Sequence, residues 1–336
     1  MTTVQKPPTG AGRSALSGMR GRALADAGPA LALVVLCLVF AVATPGFATP
    51  ENLRAILDQA AIPLILATGI SLVVLTGGID LSVEGVMAAS GLTFVLLARN
   101  SVTAADLGWG ALLVGVGCGA LFGLANGVLH VVGRVPSFIV TLGTWFVGLG
   151  TATVLFGSVT PELLDENFRG WAGATVAGIP LFALVAVLVV VLAVVTCRST
   201  RFGRTVLAVG GDERIARLAG LPTGRVKIAV FTLAGIASGL AGVLATIRLG
   251  AGDVAVGSGT LFLTLSAVVL GGTLLAGGRG GPLHTVAGVF LLVVLGNGLL
   301  LLGAEPWVQQ AVQALILVAA VVAGATPVRH RMRVIK

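Results

Sequence analysis

Polar side chains that could bind a ligand are scattered through otherwise apolar stretches of this 336-residue chain. They are amides, hydroxyls and a few carboxylates: Asp58, Gln59, Asp80, Asn126, Thr141, Thr144, Asn297, Gln309, Gln310 and Gln313. Amides and hydroxyls both donate and accept hydrogen bonds, so the set suits a neutral, polyhydroxylated ligand. Each residue could instead bond one helix to another, a contact that contributes about 0.6 kcal/mol in membrane proteins. For Asn126 and Asn297, each followed by glycine, both roles are equally open.

Patterns for other chemistries are missing from the sequence. The lysines are Lys6, Lys227 and Lys336, and none ends the G-x-x-x-x-G-K-[ST] pattern of a phosphate-binding loop. The three cysteines match no disulfide or metal-ligand spacing. Because no nucleophile–base pair or carboxylate pair is visible either, we expect no enzyme activity, no metal, no cofactor and no ATP hydrolysis by this chain itself.

Composition places these residues in membrane-spanning helices. The chain is 56% hydrophobic and 10% charged, with a mean hydropathy of +1.06, whereas soluble domains are about 25% charged. A run of about 20 apolar residues crosses a bilayer as a helix. We predict an all-α polytopic membrane protein with ten spans, roughly 29–44, 52–77, 81–98, 108–131, 136–157, 178–197, 226–248, 259–276, 283–302 and 306–323.

Charge sets the orientation. With both termini inside, all but four of the 21 Lys and Arg residues fall on the inner face, the exceptions being Arg54, Arg99, Arg169 and Arg248. Basic residues mark the cytoplasmic side of membrane proteins, so the net charge of +8 indicates topology and no nucleic-acid partner. We expect residues 1–27 to form a disordered cytoplasmic lead, 28–325 the membrane domain and 326–336 a basic cytoplasmic tail, in a bacterial plasma (inner) membrane.

Matched oddities indicate an internal repeat. Asn126-Gly127 resembles Asn297-Gly298, and Gly78-Ile79-Asp80 resembles Gly252-Asp253. Since the members of each pair fall on opposite membrane faces, the pattern favours an inverted repeat of helices 2–5 and 7–10, a common transporter design. The alternative is chance in a chain with 49 glycines.

Two polar breaks could meet partners. The cytoplasmic break 198–226 alternates apolar and charged residues, which predicts two short amphipathic helices around Gly210-Gly211. It could dock on a cytoplasmic partner or be a solvated basic loop. The outer break carries Glu162, Asp165 and Glu166, an acidic patch that could receive a partner through complementary charge or be a plain acidic loop.

Four stretches resemble the ribose-type sugar permease family. They are TGGIDLSVEG (Thr76–Gly85), NGVLHVVGRVPSFIVTLGT (Asn126–Thr144), GGTLLAGGRGG (Gly271–Gly281) and GNGLLLLG (Gly296–Gly303). The break 198–226 resembles the coupling segment of ATP-binding-cassette (ABC) importer permeases. The resemblance implies a ten-helix permease with an inverted repeat, similar to type II ABC importers.

The same resemblance implies partners and site residues. It implies a second permease copy, a cytoplasmic ABC ATPase at each coupling segment, an extracytoplasmic sugar-binding protein and surrounding lipid. The implied sugar is a pentose such as ribose, or a hexose, moving past Asn126, Thr141, Thr144, Asn297, Asp80 and Gln59. Contact with the ATPase is implied for Gly203, Arg204, Gly210, Gly211, Glu213, Ala216 and Gly220.

One residue departs from the family pattern, and two other functions stay open. Glu84 stands where the family usually has glycine, which adds a carboxylate one turn from Asp80 near the inner mouth. It could alter a gate, although an interfacial acid that snorkels or pairs with arginine is the favoured interpretation. The rival functions are an ion-coupled transporter using Asp58 or Asp80, and an ABC permease for branched-chain amino acids.

Overall fold

The computed structural model describes residues 28–316 and 318. The predicted lead 1–27 and tail 326–336 lie outside these residues. The helices are α1 (Gly28–Ala43), α2 (Pro50–Leu75), α3 (Val83–Leu97), α4 (Trp109–Val131), α5 (Ser137–Phe156), α6 (Glu166–Arg169), α7 (Leu181–Ser199), α8 (Arg201–Gly211), α9 (Glu213–Leu218), α10 (Thr223–Leu249), α11 (Thr260–Leu270), α12 (Pro282–Leu301) and α13, described over 306–316. Two short strands, β1 (Thr175–Val176) and β2 (Ile179–Pro180), pair antiparallel.

Length and composition qualify six of the described helices as membrane spans: α2, α4, α5, α7, α10 and α12. The helices α1, α3 and α11 are apolar but shorter. A helical, polytopic membrane protein is therefore confirmed. The count of ten spans, the inside position of both termini and the inverted repeat stay predictions.

The predicted helix over 259–276 is wrong at its end, because α11 stops at Leu270. Gly272 and Gly277 have φ values of +98° and +87°, a left-handed conformation that glycine adopts readily and a helix does not contain. Hydropathy counts the leucines between these glycines as part of a span, although they belong to a series of turns.

Helix α2 forms the centre of the protein. Nearly every residue from Ala60 to Leu75 is buried, and α7, α10, α11 and α12 pack around it. Its N-terminus is capped by Thr49, whose hydroxyl accepts the N–H of Asn52 at 3.3 Å. Such a cap uses one of the four N–H groups that a helix start leaves unpaired.

Glycines bring α4 and α10 into backbone contact. A Cβ atom on Gly123 would lie 2.3 Å from the carbonyl oxygen of Phe231, and one on Gly235 would lie 2.3 Å from that of Gly119. Lipid tails are as apolar as leucine, so membrane helices associate through close packing of small residues at four-residue spacing. This contact holds the first half of the chain against the second.

An aromatic cluster packs the predicted outer break against the helices. Phe168 lies edge-on to Phe94 with ring centroids 5.2 Å apart. The ring centroids of Trp109 and Trp171 lie 5.4 and 5.5 Å from that of Phe168. Aromatic rings gain from such tilted packing beyond their burial. The break is thus a folded element whose exposed acids have fixed positions.

Candidate substrate and coupling sites

The chain crosses from α2 to α3 through a non-helical segment, 76–82. Hydroxyls of α5 satisfy its backbone: Ser137 Oγ accepts the N–H of Ile79, and Thr141 Oγ1 accepts the N–H of Leu81, both at 3.0 Å. Non-helical backbone is tolerated at membrane depth only when protein or water satisfies it. The α5 hydroxyls therefore serve this segment.

Further polar groups close around the same segment. Asp80 Oδ1 accepts both the N–H of Ser82 (2.9 Å) and its hydroxyl (2.6 Å). Asn126 Nδ2 donates to Ser82 Oγ at 2.9 Å, and the Thr144 hydroxyl donates to Asn126 Oδ1 at 2.7 Å. We call Asp80, Ser82, Asn126, Thr141 and Thr144 the α3 network. Four of the six predicted path residues meet here, and Asp80, Asn126 and Thr141 are buried.

The remaining predicted path residues, Gln59 and Asn297, lie apart from the α3 network and line a cavity. A cavity of about 530 Å³ is lined by Ser258, Gly259, Thr260, Phe262, Leu263, Ser266, Leu292, Gln310, Gln313 and Ala314. A smaller one of about 200 Å³ is lined by Gln59, Pro63, Leu263, Leu292, Val293, Gly296, Asn297, Leu300, Gln309 and Gln313. The two share Leu263, Leu292 and Gln313, and we call them together the amide cavity.

Several amides of the amide cavity are free to bind. Gln59, Gln310 and Gln313 make no hydrogen bond to the described part of the chain, whereas Gln309 donates to the carbonyl of Ala304 at 2.9 Å. The larger cavity falls within the ~300–1,000 Å³ of small-molecule pockets. Free amides beside hydroxyls can bind a ligand that both donates and accepts hydrogen bonds.

Asn297 lines the amide cavity but has a partner already. It exchanges two hydrogen bonds with Asn52, Nδ2 to Oδ1 at 3.0 and 2.9 Å. Asn126 and Asn297, which the sequence pairs as repeat equivalents, are therefore both engaged, in separate clusters. Sequence reasoning did not identify Ser82 and Asn52 as the partners of Asn126 and Asn297. The sequence shows that a polar residue stands in an apolar run, but it does not show which residue it contacts.

No Asp, Glu, Lys or Arg is among the residues of 28–316 that line the amide cavity. The nearby carboxylate of Asp58 is neutralised by Arg248, whose Nη2 donates to its Oδ1 at 3.1 Å and to its backbone oxygen at 2.9 Å. The Arg248 guanidinium also lies 5.2 Å from the ring centroid of Phe182. These contacts engage the Arg248 guanidinium, and Arg248 is not among the described residues that line the amide cavity.

The predicted pair of amphipathic helices is confirmed as α8 and α9. Thr200 caps α8 by accepting the N–H of Gly203 at 3.1 Å, and Asp212 caps α9 by accepting the N–H of Ile215 at 2.9 Å. The break between them falls at Asp212, because this cap ends one helix and starts the next. Gly210 and Gly211 belong to the last turn of α8.

Gly210 joins the break 198–226, which we call the coupling segment after the family resemblance, to the core. A Cβ on Gly210 would lie 1.7 Å from the carbonyl oxygen of Leu75, the last residue of α2. The same oxygen accepts the N–H of Gly278 at 3.0 Å. Among the other predicted coupling residues, Gly203 packs on the backbone of Cys197. A displacement of α8 therefore acts directly on the end of α2.

Glu213 fastens α9 to the start of α10. Its carboxylate accepts from Lys227 Nζ and, at 2.8 Å, from Arg217 Nη2. Burial would raise the pKa of Glu213, but the hydrogen bonds and charges of Lys227 and Arg217 outweigh it and hold the pKa below its ordinary value of 4.5. The carboxylate is therefore ionised at neutral pH, which keeps both contacts.

The exposed surface of the coupling segment is partly apolar. Ala216 is buried, while Arg204, Gly211 and Gly220 are exposed. Ile215 and Leu218 are 65% and 81% exposed, although Val206 and Val209 on the preceding helix are buried. The sequence shows that all four residues are apolar. It does not show which of them are buried against the core and which are exposed.

Comparison with known proteins identifies relatives of this chain. The chain matches the profile of the family described as "Branched-chain amino acid transport system / permease component" over residues 52–321. It is 37% identical over 304 residues to the probable ABC transporter permease protein YphD of Escherichia coli (strain K12), covering 90% of each chain. The ribose import permease protein RbsC of Bacillus subtilis (strain 168) is 36% identical, covering 88% of this chain and 91% of its own.

The chain belongs to this permease family. The L-arabinose transport system permease protein AraH of Escherichia coli (strain K12) is 32% identical and covers 96% of both chains. No solved structure matches. The resemblance to sugar permeases of ABC transporters is thus confirmed, and the relatives are permease subunits by name.

Two acidic residues of this permease differ from expectation. Glu84 neither snorkels nor pairs with arginine: it is 8% exposed, and its Oε1 accepts the N–H of Leu261 at 3.0 Å. Asp165 is buried and caps Asn167 at 3.0 Å, so it does not contribute to an exposed acidic patch. In both cases the carboxylate accepts a backbone N–H group at the start of a helix, where contact with solvent or a cation was expected.

Proposed function

We propose that this chain is the transmembrane subunit of an ABC importer that moves a monosaccharide, ribose or another pentose or a hexose, inward by alternating access. The observation that carries the proposal is the amide cavity. Within the described part of the chain, its Gln59, Gln310 and Gln313 amides have no hydrogen-bond partner and its lining holds no charged residue. A sugar offers hydroxyls that match such groups. The relatives RbsC, a ribose import permease, and AraH, an L-arabinose transport permease, support this substrate class.

The same observations disfavour the rival functions. A zwitterionic amino acid needs charged partners once it leaves water, and the amide cavity offers none among the lining residues that the structure describes. An ion-coupled carrier needs a carboxylate free to bind its ion. Asp58 is occupied by Arg248 and Asp80 by Ser82.

ATP hydrolysis is assigned to a separate cytoplasmic subunit that docks on α8 and α9. Exposed Ile215 and Leu218 provide an apolar contact, and Gly210 transmits the push to α2 through the Leu75 carbonyl. Gly203, Arg204, Gly211, Glu213, Ala216 and Gly220 belong to the same segment. We expect Leu218→Asp or Gly220→Asp to separate the two subunits on co-purification, whereas Val102→Asp on the predicted outer face leaves them together.

The remaining partners are an extracytoplasmic sugar-binding protein and a second permease copy, in the lipid of a bacterial inner membrane with both termini cytoplasmic. Exposed Glu162, Glu166 and Asp253 form an acidic face for the binding protein. On α5, Gly143 and Gly150 have open space around them on a face with exposed Phe146 and Val147. Such a small and apolar face suits a second copy or lipid.

Uptake into proteoliposomes tests the function. The permease is reconstituted with its ATPase and binding-protein partners, and radiolabelled ribose, L-arabinose, glucose and leucine are offered with and without ATP. We expect ATP-dependent uptake of one of the sugars and none of leucine. Leucine uptake, or sugar uptake driven by an ion gradient through the permease alone, would overturn the proposal.

A further inference from the structure

The carboxylate of Glu84 links two parts of the protein that are far apart in sequence. It lies in the first turn of α3 and accepts the N–H of Leu261 in the first turn of α11, 177 residues away. The side chain is buried. A buried carboxylate is costly unless hydrogen-bonded groups compensate its charge, so this contact is the one that accounts for it.

Helix α11 needs an external acceptor at its start. Its N-cap residue, Gly259, has no side chain to accept the unpaired N–H groups and has φ +80°. A helix start carries a partial positive charge that a nearby carboxylate stabilises. Glu84 supplies from α3 the acceptor that α11 lacks at its own cap.

A second contact fixes the same turn. One helical turn after Glu84, the side chain of Met87 fills the space at Gly257, and the Thr260 hydroxyl lies 3.6 Å from its Sδ. Glu84 and Met87 thus hold both ends of the segment 257–261. That segment includes Ser258, Gly259 and Thr260, which form one wall of the amide cavity.

The start of α3 is itself immobilised from the opposite side. A Cβ on Gly85 would lie 2.2 Å from the carbonyl oxygen of Trp145 on α5, and one on Gly148 would lie 2.5 Å from the Gly85 backbone. The α3 network precedes it directly at Asp80 and Ser82. Glu84 therefore attaches the turn 257–261 to a helix that is packed tightly against α5.

We propose that Glu84 is a positioning residue that holds the segment 257–261 against α3 and so fixes one wall of the amide cavity. The proposal rests on the proposed function only for the identity of the ligand. When the contact is lost, the wall opens to water, and sugar is moved less efficiently for each ATP hydrolysed. The isosteric Glu84→Gln keeps the acceptor oxygen without the charge, whereas Glu84→Ala removes both.

Cysteine labelling measures the wall without any substrate. The full-length permease, with Cys37, Cys118 and Cys197 replaced by alanine, carries Val256→Cys as a buried reporter beside the turn. Loss of a hydrogen bond to a charged group predicts labelling by a water-soluble maleimide at least about tenfold faster in Glu84→Ala. We expect Glu84→Gln to lie between Glu84→Ala and the parent. Ala186→Cys, fully buried on α7, is the control and should keep its rate in all three.

An unchanged Val256→Cys rate in Glu84→Ala, or an equal rise at Ala186→Cys, would overturn the proposal. In reconstituted transporter, Glu84→Ala should lower the sugar moved per ATP severalfold while the maximal ATPase rate stays within twofold. A fall in both by the same factor would show general damage and contradict a positioning role. If the parent permease moves no sugar at all, the proposed function fails while the labelling still decides the role of Glu84.

Discussion

The α3 network and the amide cavity contain the same kinds of polar residue, yet they differ in what those residues do. In the α3 network, Asn126, Thr144 and Ser82 satisfy one another at 2.7–2.9 Å. In the amide cavity, Gln310 and Gln313 face about 530 Å³ of space without a partner in the described chain. A polar residue in an apolar helix thus indicates either a scaffold or a binding site, and the presence of an internal partner distinguishes them.

The largest expected effect comes from breaking the scaffold at Asn126. Asn126→Leu removes the hydrogen bonds that Asn126 makes with Ser82 and Thr144, each worth about 0.5–1.5 kcal/mol, while Ser82 keeps Asp80 and Thr144 keeps backbone carbonyls as partners. We expect the purified permease in detergent to melt several degrees lower and to lose uptake. Thr153→Val is the control, since that exposed hydroxyl bonds only the Leu149 carbonyl of its own helix. A variant that melts like the parent but fails to transport would place Asn126 at the substrate instead.

For Gln310 and Gln313 we expect the opposite result, a loss of uptake without a loss of thermal stability. The double change Gln310→Leu and Gln313→Leu removes two candidate hydrogen bonds to substrate, each worth about 0.5–1.5 kcal/mol. Uptake should fall roughly tenfold or more, while the melting temperature stays the same or rises because no internal bond is lost.

Gln309→Leu is the matched control for that pair. Its amide already bonds Ala304, so we expect a lower melting temperature and a smaller loss of uptake. Uptake by the double variant within twofold of the parent would remove the amide cavity as the substrate site.

Asn297 sharpens the comparison because it belongs to both kinds of region. Asn297→Leu and Asn52→Leu each abolish the same reciprocal pair, at about 0.6 kcal/mol per hydrogen bond. Asn52 Nδ2 also donates to the Phe47 carbonyl at 2.8 Å, so the melting temperature of Asn52→Leu should fall at least as far as that of Asn297→Leu. Only Asn297 lines the amide cavity, so only its variant should also lower uptake. Equal uptake by the two variants would assign Asn297 to the scaffold alone.

The smallest effect is expected at Glu213, outside both regions. Because its pKa is lowered in the folded protein, its contacts contribute fully above the ordinary pKa of 4.5 and are lost as the pH falls through the lowered value. The melting temperature should therefore show no pH dependence from Glu213 between about pH 6 and 8, where its contribution is fully present.

Exposed ion pairs contribute about 0–1 kcal/mol, so Glu213→Gln should change the melting temperature little at neutral pH. The charge reversal Glu213→Lys, placed beside Lys227 and Arg217, should weaken co-purification with the ATPase more than Glu213→Gln does. Equal binding by both variants would show that this charge has no part in docking.

Much of the helical architecture could be predicted from the chain alone. The predicted spans 108–131 and 136–157 agree with α4 (Trp109–Val131) and α5 (Ser137–Phe156) within one residue, because flanking glycine and proline limit the apolar runs. The span predicted to 276 failed because runs of leucine between glycines look the same in a helix and in a turn.

The candidate site could be predicted only as a set of residue types. Sequence indicated which residues are unusual in an apolar helix, but Asn126 and Gln313 look alike until their neighbours are known. Glu84 shows the limit most clearly, since its partner Leu261 is 177 residues away and contributes a backbone N–H that no residue type reveals.

The sequence by itself determined that this is a helical membrane protein, that its coupling segment contains two amphipathic helices, and which family it resembles. Hydropathy, helix caps and motifs act over neighbouring residues, so they can be read along the chain. Tertiary structure alone decided which amides are satisfied, which apolar residues of α8 and α9 are exposed, and that Glu84 caps α11. These properties depend on the distance between groups remote in sequence, which is fixed only when the helices pack.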